Sequence, residues 1–157
     1  MEAGKRKSRG GVHEWVRDGY AISDDPSRLD IDVIHGFLAR SYWALDVPRE
    51  TVERSIEHSL NFGLYRGEDQ IGYARVVTDY ARFAYLADVF VLEEHRGRGL
   101  GIWLVELVVA HPRLQGLQRW MLGTRDAHSL YEKVGVSVDG EAGAVHGDRA
   151  AGLLHAE

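Results

Sequence analysis

The consecutive residues His95-Arg96-Gly97-Arg98-Gly99-Leu100-Gly101 have types and spacing suited to holding a phosphate. Glycines at alternate positions let the main chain approach an anion closely and take up positive φ. The run follows an apolar, strand-like stretch, Asp88-Val89-Phe90-Val91-Leu92, and opens into a helix-like one, Ile102 to Ala110. A strand, a glycine turn and a helix start together present successive backbone N–H groups to a phosphate. The helix start adds about half a positive charge, and Arg96 and Arg98 add full ones. A P-loop is excluded, because no Gly-Lys-Ser/Thr occurs. The Rossmann fingerprint is a poor match: the spacing is Gly97-x-Gly99-x-Gly101, and it comes late in the chain.

Several elements must position this turn. Trp15 to Ser23 reads as a first strand, with Tyr20 and Ile22 alternating. Asp30 is a helix cap for Ile31, Ile34 and Leu38, in a helix running to about Tyr42. Pro48 suits the first turn of a second helix with a stripe of Val52, Ile56 and Leu60. Strands are predicted over Phe62–Arg66, Gln70–Thr78 and Phe83–Leu92. The helix after the glycine turn is apolar nearly all round, which predicts deep burial, and Pro112 stops it. Arg119–Gly123 is a further strand. Thr124 or Asp126 caps a last helix through Tyr131 and Val134 that ends at Gly135. From Val136 onward the periodicity fails and no aromatic residue follows Tyr131, so a poorly ordered tail is expected.

Composition narrows the functional classes. The 157 residues suit one domain with a real core. There is no cysteine, so disulfides, thiolate metal sites and cysteine nucleophiles are excluded. The net charge of −5 argues against a general nucleic-acid partner. Lys5, Arg6, Lys7 and Arg9 make residues 1–12 a basic stretch, read as a flexible tail without the apolar core of a signal peptide. No segment approaches the ~18 apolar residues of a membrane span, so no membrane partner and a cytoplasmic location are expected. His13, His35, His58 and His146 lack metal-ligand spacing, and no metal is expected.

The third phosphate-binding pattern, Arg-x-x-Gly-x-Gly, is matched by Arg96, Gly99 and Gly101. Here the chain resembles the GCN5-related N-acetyltransferase (GNAT) superfamily. The element order from about Tyr20 to Val136 and the segment Thr124–Gly135 add to the likeness. The resemblance implies an α/β fold: a mixed, mostly antiparallel twisted sheet flanked by four helices. It implies an acetyltransferase domain over residues 13–136, followed by a divergent segment, 137–157, where the family's last strands are expected. It also implies acetyl-CoA as co-substrate, a small-molecule or peptide amine as acceptor, and room for a homodimer. Its pyrophosphate site falls on Arg96, Gly97, Arg98, Gly99, Leu100 and Gly101. The backbone around Phe90 and Val91 would hold the pantetheine arm and polarise the thioester carbonyl. Asp126, near the start of the last helix, joins the cofactor-binding set.

Acetyl transfer also needs a proton for the departing thiolate and a neutral amine. The resemblance makes Tyr131 the general acid. A thiol with pKa near ~8.5 leaves readily enough for a phenol to share its proton. Asp88 interrupts an apolar row and has two readings. Buried alone, it is a base for the amine or an anchor for the ammonium. Opposite Arg75 across a hairpin, it is one half of an ion pair. Glu93, Glu94 and Asp79 read as a solvated rim, and His128 as a helix-start residue. Tyr42 and Trp43 either line an acceptor pocket or pack as core, with packing preferred. The unusual C-terminus sustains a second reading, a weakly catalytic acyl-CoA sensor that joins a partner through its tail.

Overall fold

The structure is a computed structural model, and it describes residues 5–9, 11–122 and 144–146. One sheet of eight strands runs in chain order: β1 (Lys5–Arg9), β2 (Val12–Arg17), β3 (Tyr20–Ser23), β4 (Leu60–Arg66), β5 (Asp69–Thr78), β6 (Phe83–Val91), β7 (Arg119–Leu122) and β8 (Ala144–His146). Every neighbouring pair is antiparallel except β6 and β7, which are parallel. A parallel pair needs a crossover, and α3 (Leu100–Val109) supplies it. The helices α1 (Ile31–Leu38) and α2 (Arg49–Glu57) lie between β3 and β4 in the chain. This is the mixed, mostly antiparallel α/β architecture expected. Three α-helices fall among the described residues, and the expected fourth lies outside them.

The sheet is covered on both faces. Trp103, Leu104 and Val108 of α3 pack with Ile22, Phe62, Leu64, Ala74 and Trp120 in the larger core. Ile34, Leu38 and Val52 of α1 and α2 pack with Tyr73 and Phe90 in a second one. Tyr73 and Ala74 are neighbours in sequence and belong to different cores, as the pleat requires. The all-round apolar character of α3 finds its partners: Leu100, Trp103, Leu104, Val105, Val108 and Val109 are buried.

The structure differs from the sequence-based reading at several places. The single strand predicted over Trp15–Ser23 is a hairpin. Asp18 and Gly19 turn it with φ of +52° and +83°, the positive values that suit Asp-Gly to a two-residue turn. Residues 5–9, expected in a flexible tail, pair with β2 from Lys5↔Val16 to Arg9↔Val12. Strand pairing uses main-chain groups, and a lysine-rich sequence is compatible with a sheet edge. Helix α1 ends at Leu38 rather than near Tyr42. The Ser41 hydroxyl donates to the Leu38 carbonyl (2.7 Å) and accepts from the Ala44 amide (3.2 Å), turning the chain out of the helix. Leu60, predicted on the second helix's stripe, opens β4. In the segment expected to lack order, Ala144–His146 add β8 against β7.

Candidate active site

The end of β6 and the start of α3 border a cleft of about 510 Å³, a size suited to a small ligand. A 3₁₀ turn over Glu93–His95 leads out of β6. Arg96 Nε donates back to the Val91 carbonyl at 2.8 Å, tying the turn to the strand. His95 Nδ1 lies 2.9 Å from the Tyr20 hydroxyl. Gly97 and Gly99 then take φ of +81° and +76°, where any side chain is strained. Gly99 is the N-cap of α3, and no side chain caps the helix. Its first N–H bond runs from Trp103 to the Gly99 carbonyl at 3.1 Å. The amides from Gly97 to Ile102 therefore meet no acceptor among the described residues. Main-chain donors seldom go without partners. A run of them at a helix start, facing a cleft, is an anion cradle.

The strand side of the cleft is equally specific. The Leu92 amide donates to the Ile71 carbonyl at 2.8 Å. Alternation along an antiparallel ladder then turns the main-chain groups of Val91 away from β5. Among the described residues, parallel pairing with β7 runs over Phe83–Leu86. Beyond it Val89, Phe90 and Val91 line the cleft. Between the pairs Tyr73↔Phe90 and Arg75↔Ala87 the register shifts by one residue. Asp88 sits in this bulge with φ +57°.

Asp88 takes the ion-pair reading. Arg75 Nε donates to Oδ2 at 2.7 Å, and the Trp43 indole donates to Oδ1 at 2.9 Å. Arg75 Nη1 reaches the Ser59 hydroxyl at 3.2 Å, and that hydroxyl donates to the Ser55 carbonyl of α2 at 2.6 Å. Both oxygens of Asp88 are engaged, so it is placed as an anchor rather than as a base. Tyr42 and Trp43, for which packing was the preferred reading, line the cleft together with Phe37. The early end of α1 frees them to do so. Phe37 was not singled out in the sequence. Its signal was the adjacent aromatic pair, and its ring stacks on Phe90 at 4.0 Å between centroids.

Phe90, Val91, Arg96, Gly97, Gly99, Leu100 and Gly101 thus converge on one cleft. Arg98 is exposed in the same turn. Tyr131, Asp126 and His128 lie outside the described residues. Of the rim carboxylates, Asp79 accepts the amides of Ala81, Arg82 and Phe83 at 2.8–3.1 Å. The bonds from Arg82, Ala81 and Phe83 hold its carboxyl below the usual range. The buried phenols are unsuited to proton transfer near neutral pH: burial pushes Tyr65 up to about 12 and Tyr73 higher.

His13, Asp24 and His111 form a buried group of metal-ligand types at the other end of α3. Spacing could not show this group, because the residues lie far apart in the chain. His13 Nδ1 and His111 Nε2 each sit 2.8 Å from Asp24 Oδ2. The His111 Nδ1 accepts the Arg113 amide at 3.1 Å, so the ring proton is on Nε2 and points at Asp24. An imidazole that binds a metal through Nε2 would instead carry its proton on Nδ1, facing that amide. The group is a hydrogen-bonded node and does not suit an ion. Burial pushes the Asp24 carboxyl up, but the hydrogen bonds from His111 and from the His13 amide and ring outweigh it and hold it low.

An anion cradle opening into an apolar cleft along the end of β6 suits a ligand with a phosphate head and a long, uncharged arm. Comparison with known proteins gives the class. The model of the Acetyltransferase (GNAT) family matches residues 24–136, and the chain belongs to that family. A protein of Gibberella zeae named "Putative acetyltransferase FG08082" is 34% identical over 142 residues, covering 76% of this chain and 79% of its own. A crystal structure from Xanthomonas campestris pv. campestris, described as a "putative acetyltransferase belonging to the gnat family", is 50% identical. The match covers 76% of this chain and 85% of that one, with a TM-score of 0.74. A GNAT family acetyltransferase from Elizabethkingia anophelis, solved with acetyl-CoA bound, shares the fold at 14% identity. It covers 79% of this chain and 80% of its own, with a TM-score of 0.61. No helix among the described residues is long and apolar enough to cross a membrane.

Proposed function

We infer that this acetyltransferase uses acetyl-CoA and transfers the acetyl group to a primary amine of a small molecule or peptide. The observation that carries this reading is the run of unaccepted amides from Gly97 to Ile102, walled by Arg96 and open to the cleft. That cradle takes the pyrophosphate, with Arg96 and Arg98 adding charge. The pantetheine arm then lies along Val89–Val91 as an added strand, using the Val91 amide that is turned away from β5. An N–H there polarises the thioester carbonyl. The amine nitrogen attacks that carbon, the C–S bond breaks, and the thiolate takes its proton from Tyr131. Asp126 supports the cofactor. Asp88 is engaged by Arg75 and Trp43, so the proton of the incoming ammonium leaves through water.

The test combines binding with turnover. Calorimetry should detect coenzyme A binding. Acetyl-CoA mixed with a panel of small and peptide amines should release free thiol, and Tyr131→Phe should slow that release with little change in coenzyme A affinity. Absence of coenzyme A binding would sink the reading. Coenzyme A binding without thiol release from any amine would favour the sensor reading.

A further inference from the structure

We propose that Trp43, locked in place by Asp88, is the wall that limits the acyl group to a short chain. This rests on the acetyl-CoA reading and extends it to a residue that sets specificity. The cradle lies at one end of the cleft. The same cleft is lined by Val91, Phe90 and Val89 of β6 and by Phe37, Tyr42 and Trp43. A ligand with its diphosphate on Gly97–Ile102 and its arm along β6 brings its acyl end toward Asp88 and the Trp43 ring.

That ring is held from several sides. Its N–H donates to Asp88 Oδ1 at 2.9 Å. Tyr42 meets it edge-on at 5.1 Å, and Phe37 lies tilted at 6.1 Å while stacked on Phe90. Asp88 is itself fixed. Arg75 holds its other oxygen, the pair being largely buried with side-chain exposures of 17% and 11%. Arg75 in turn is tied through Ser59 to the Ser55 carbonyl. The left-handed backbone of Asp88 persists because these partners over-determine it. One carboxylate thus couples the bulge that shapes the strand side of the cleft to the indole that closes the aromatic side. An anchored ring cannot swing aside for a longer chain.

The experiment measures the binding of coenzyme A, acetyl-CoA and butyryl-CoA by calorimetry to the full chain and to two variants, Trp43→Ala and Asp88→Asn. The native chain should prefer acetyl-CoA. Trp43→Ala should shift the butyryl-to-acetyl affinity ratio by about tenfold toward butyryl, the value of two buried methylenes. Asp88→Asn keeps a side chain that tolerates positive φ but loses the charge that holds Arg75 and the indole. It should shift the ratio in the same direction by less. Coenzyme A serves as the reference within each variant, so that a change common to all three ligands cancels from the ratio. An unchanged ratio in both variants would overturn the proposal, and so would a loss of coenzyme A binding confined to them. If the native chain itself fails to bind coenzyme A, the acetyl-CoA reading falls and this proposal falls with it.

Discussion

The two ends of α3 are opposites. At its N-terminus the amides from Gly97 to Ile102 have no acceptor among the described residues, no side chain among them caps the helix, and the cleft lies in front. At its C-terminus nearly every polar group is taken. Gln115 Nε2 donates to the carbonyls of Val109 and His111 at 3.0 and 2.9 Å. His111 uses both ring nitrogens, and Asp24 accepts from His111 and from the ring and amide of His13. A helix leaves unpaired groups at both ends as a matter of geometry. One set is satisfied internally and the other, among the described residues, is not. Stability and binding are therefore expected to separate along a single helix.

The sharpest way to break that contrast is Gly99→Val. A β-branched residue cannot easily hold φ +76°, so the turn that presents the amides would be displaced. Coenzyme A affinity is expected to fall by roughly a hundredfold, read by calorimetry, with a smaller loss of thermal stability. If affinity survives while the protein melts early, the open end of α3 is structural after all.

Asp24→Ala probes the closed end. It leaves His13 and His111 buried without their acceptor, and should cost about 3 kcal/mol of unfolding free energy in urea titrations. Coenzyme A affinity of the folded protein should not change. The same node carries a pH dependence. Asp24 has its carboxyl held low in the fold, so its contribution is present above the unfolded carboxylate value and is lost as pH falls through the folded one. Urea midpoints should therefore drop on the acid side, and Asp24→Asn should flatten that limb. A variant that keeps the native acid limb would show that other carboxylates set it.

The arginines of the turn sharpen the contrast at the open end. Arg96→Ala removes a charge and the 2.8 Å bond to the Val91 carbonyl, and should weaken coenzyme A binding by about tenfold. Arg98→Ala removes only an exposed charge. It should cost about threefold, and that loss should fade in high salt. Equal effects from the two would mean that charge alone, and not the tie to β6, makes Arg96 matter.

Much of the open end was legible in the chain. Gly97, Gly99 and Gly101, an apolar strand before them and an apolar helix after them are neighbours in sequence, and so is the cradle they make. Asp30 as the α1 cap and Pro48 before α2 are local in the same way. The hairpin at Asp18-Gly19 is local too, but Trp15 before the turn and the alternating Tyr20 and Ile22 after it read as one strand and hide it. Leu60 fitted a helical stripe by period, but its burial was to be found in β4. The pairing of β1 and β8 with the sheet had no sequence signal of its own, since a ladder is made by main-chain groups that every residue carries.

The sequence by itself determined the glycine turn ahead of α3 and which segments build the frame around it, because backbone conformation and amphipathic period are written within a few residues. The tertiary structure alone decided what the ionisable side chains are for. Asp88 had an even choice between base and ion pair until the fold brought Arg75 and Trp43 to its two oxygens. His13, Asp24 and His111 had no relation until β2, the end of β3 and the end of α3 met. A carboxylate or imidazole takes its role from whichever donors and acceptors are within about 3 Å. In a folded chain those neighbours are chosen by packing between distant segments.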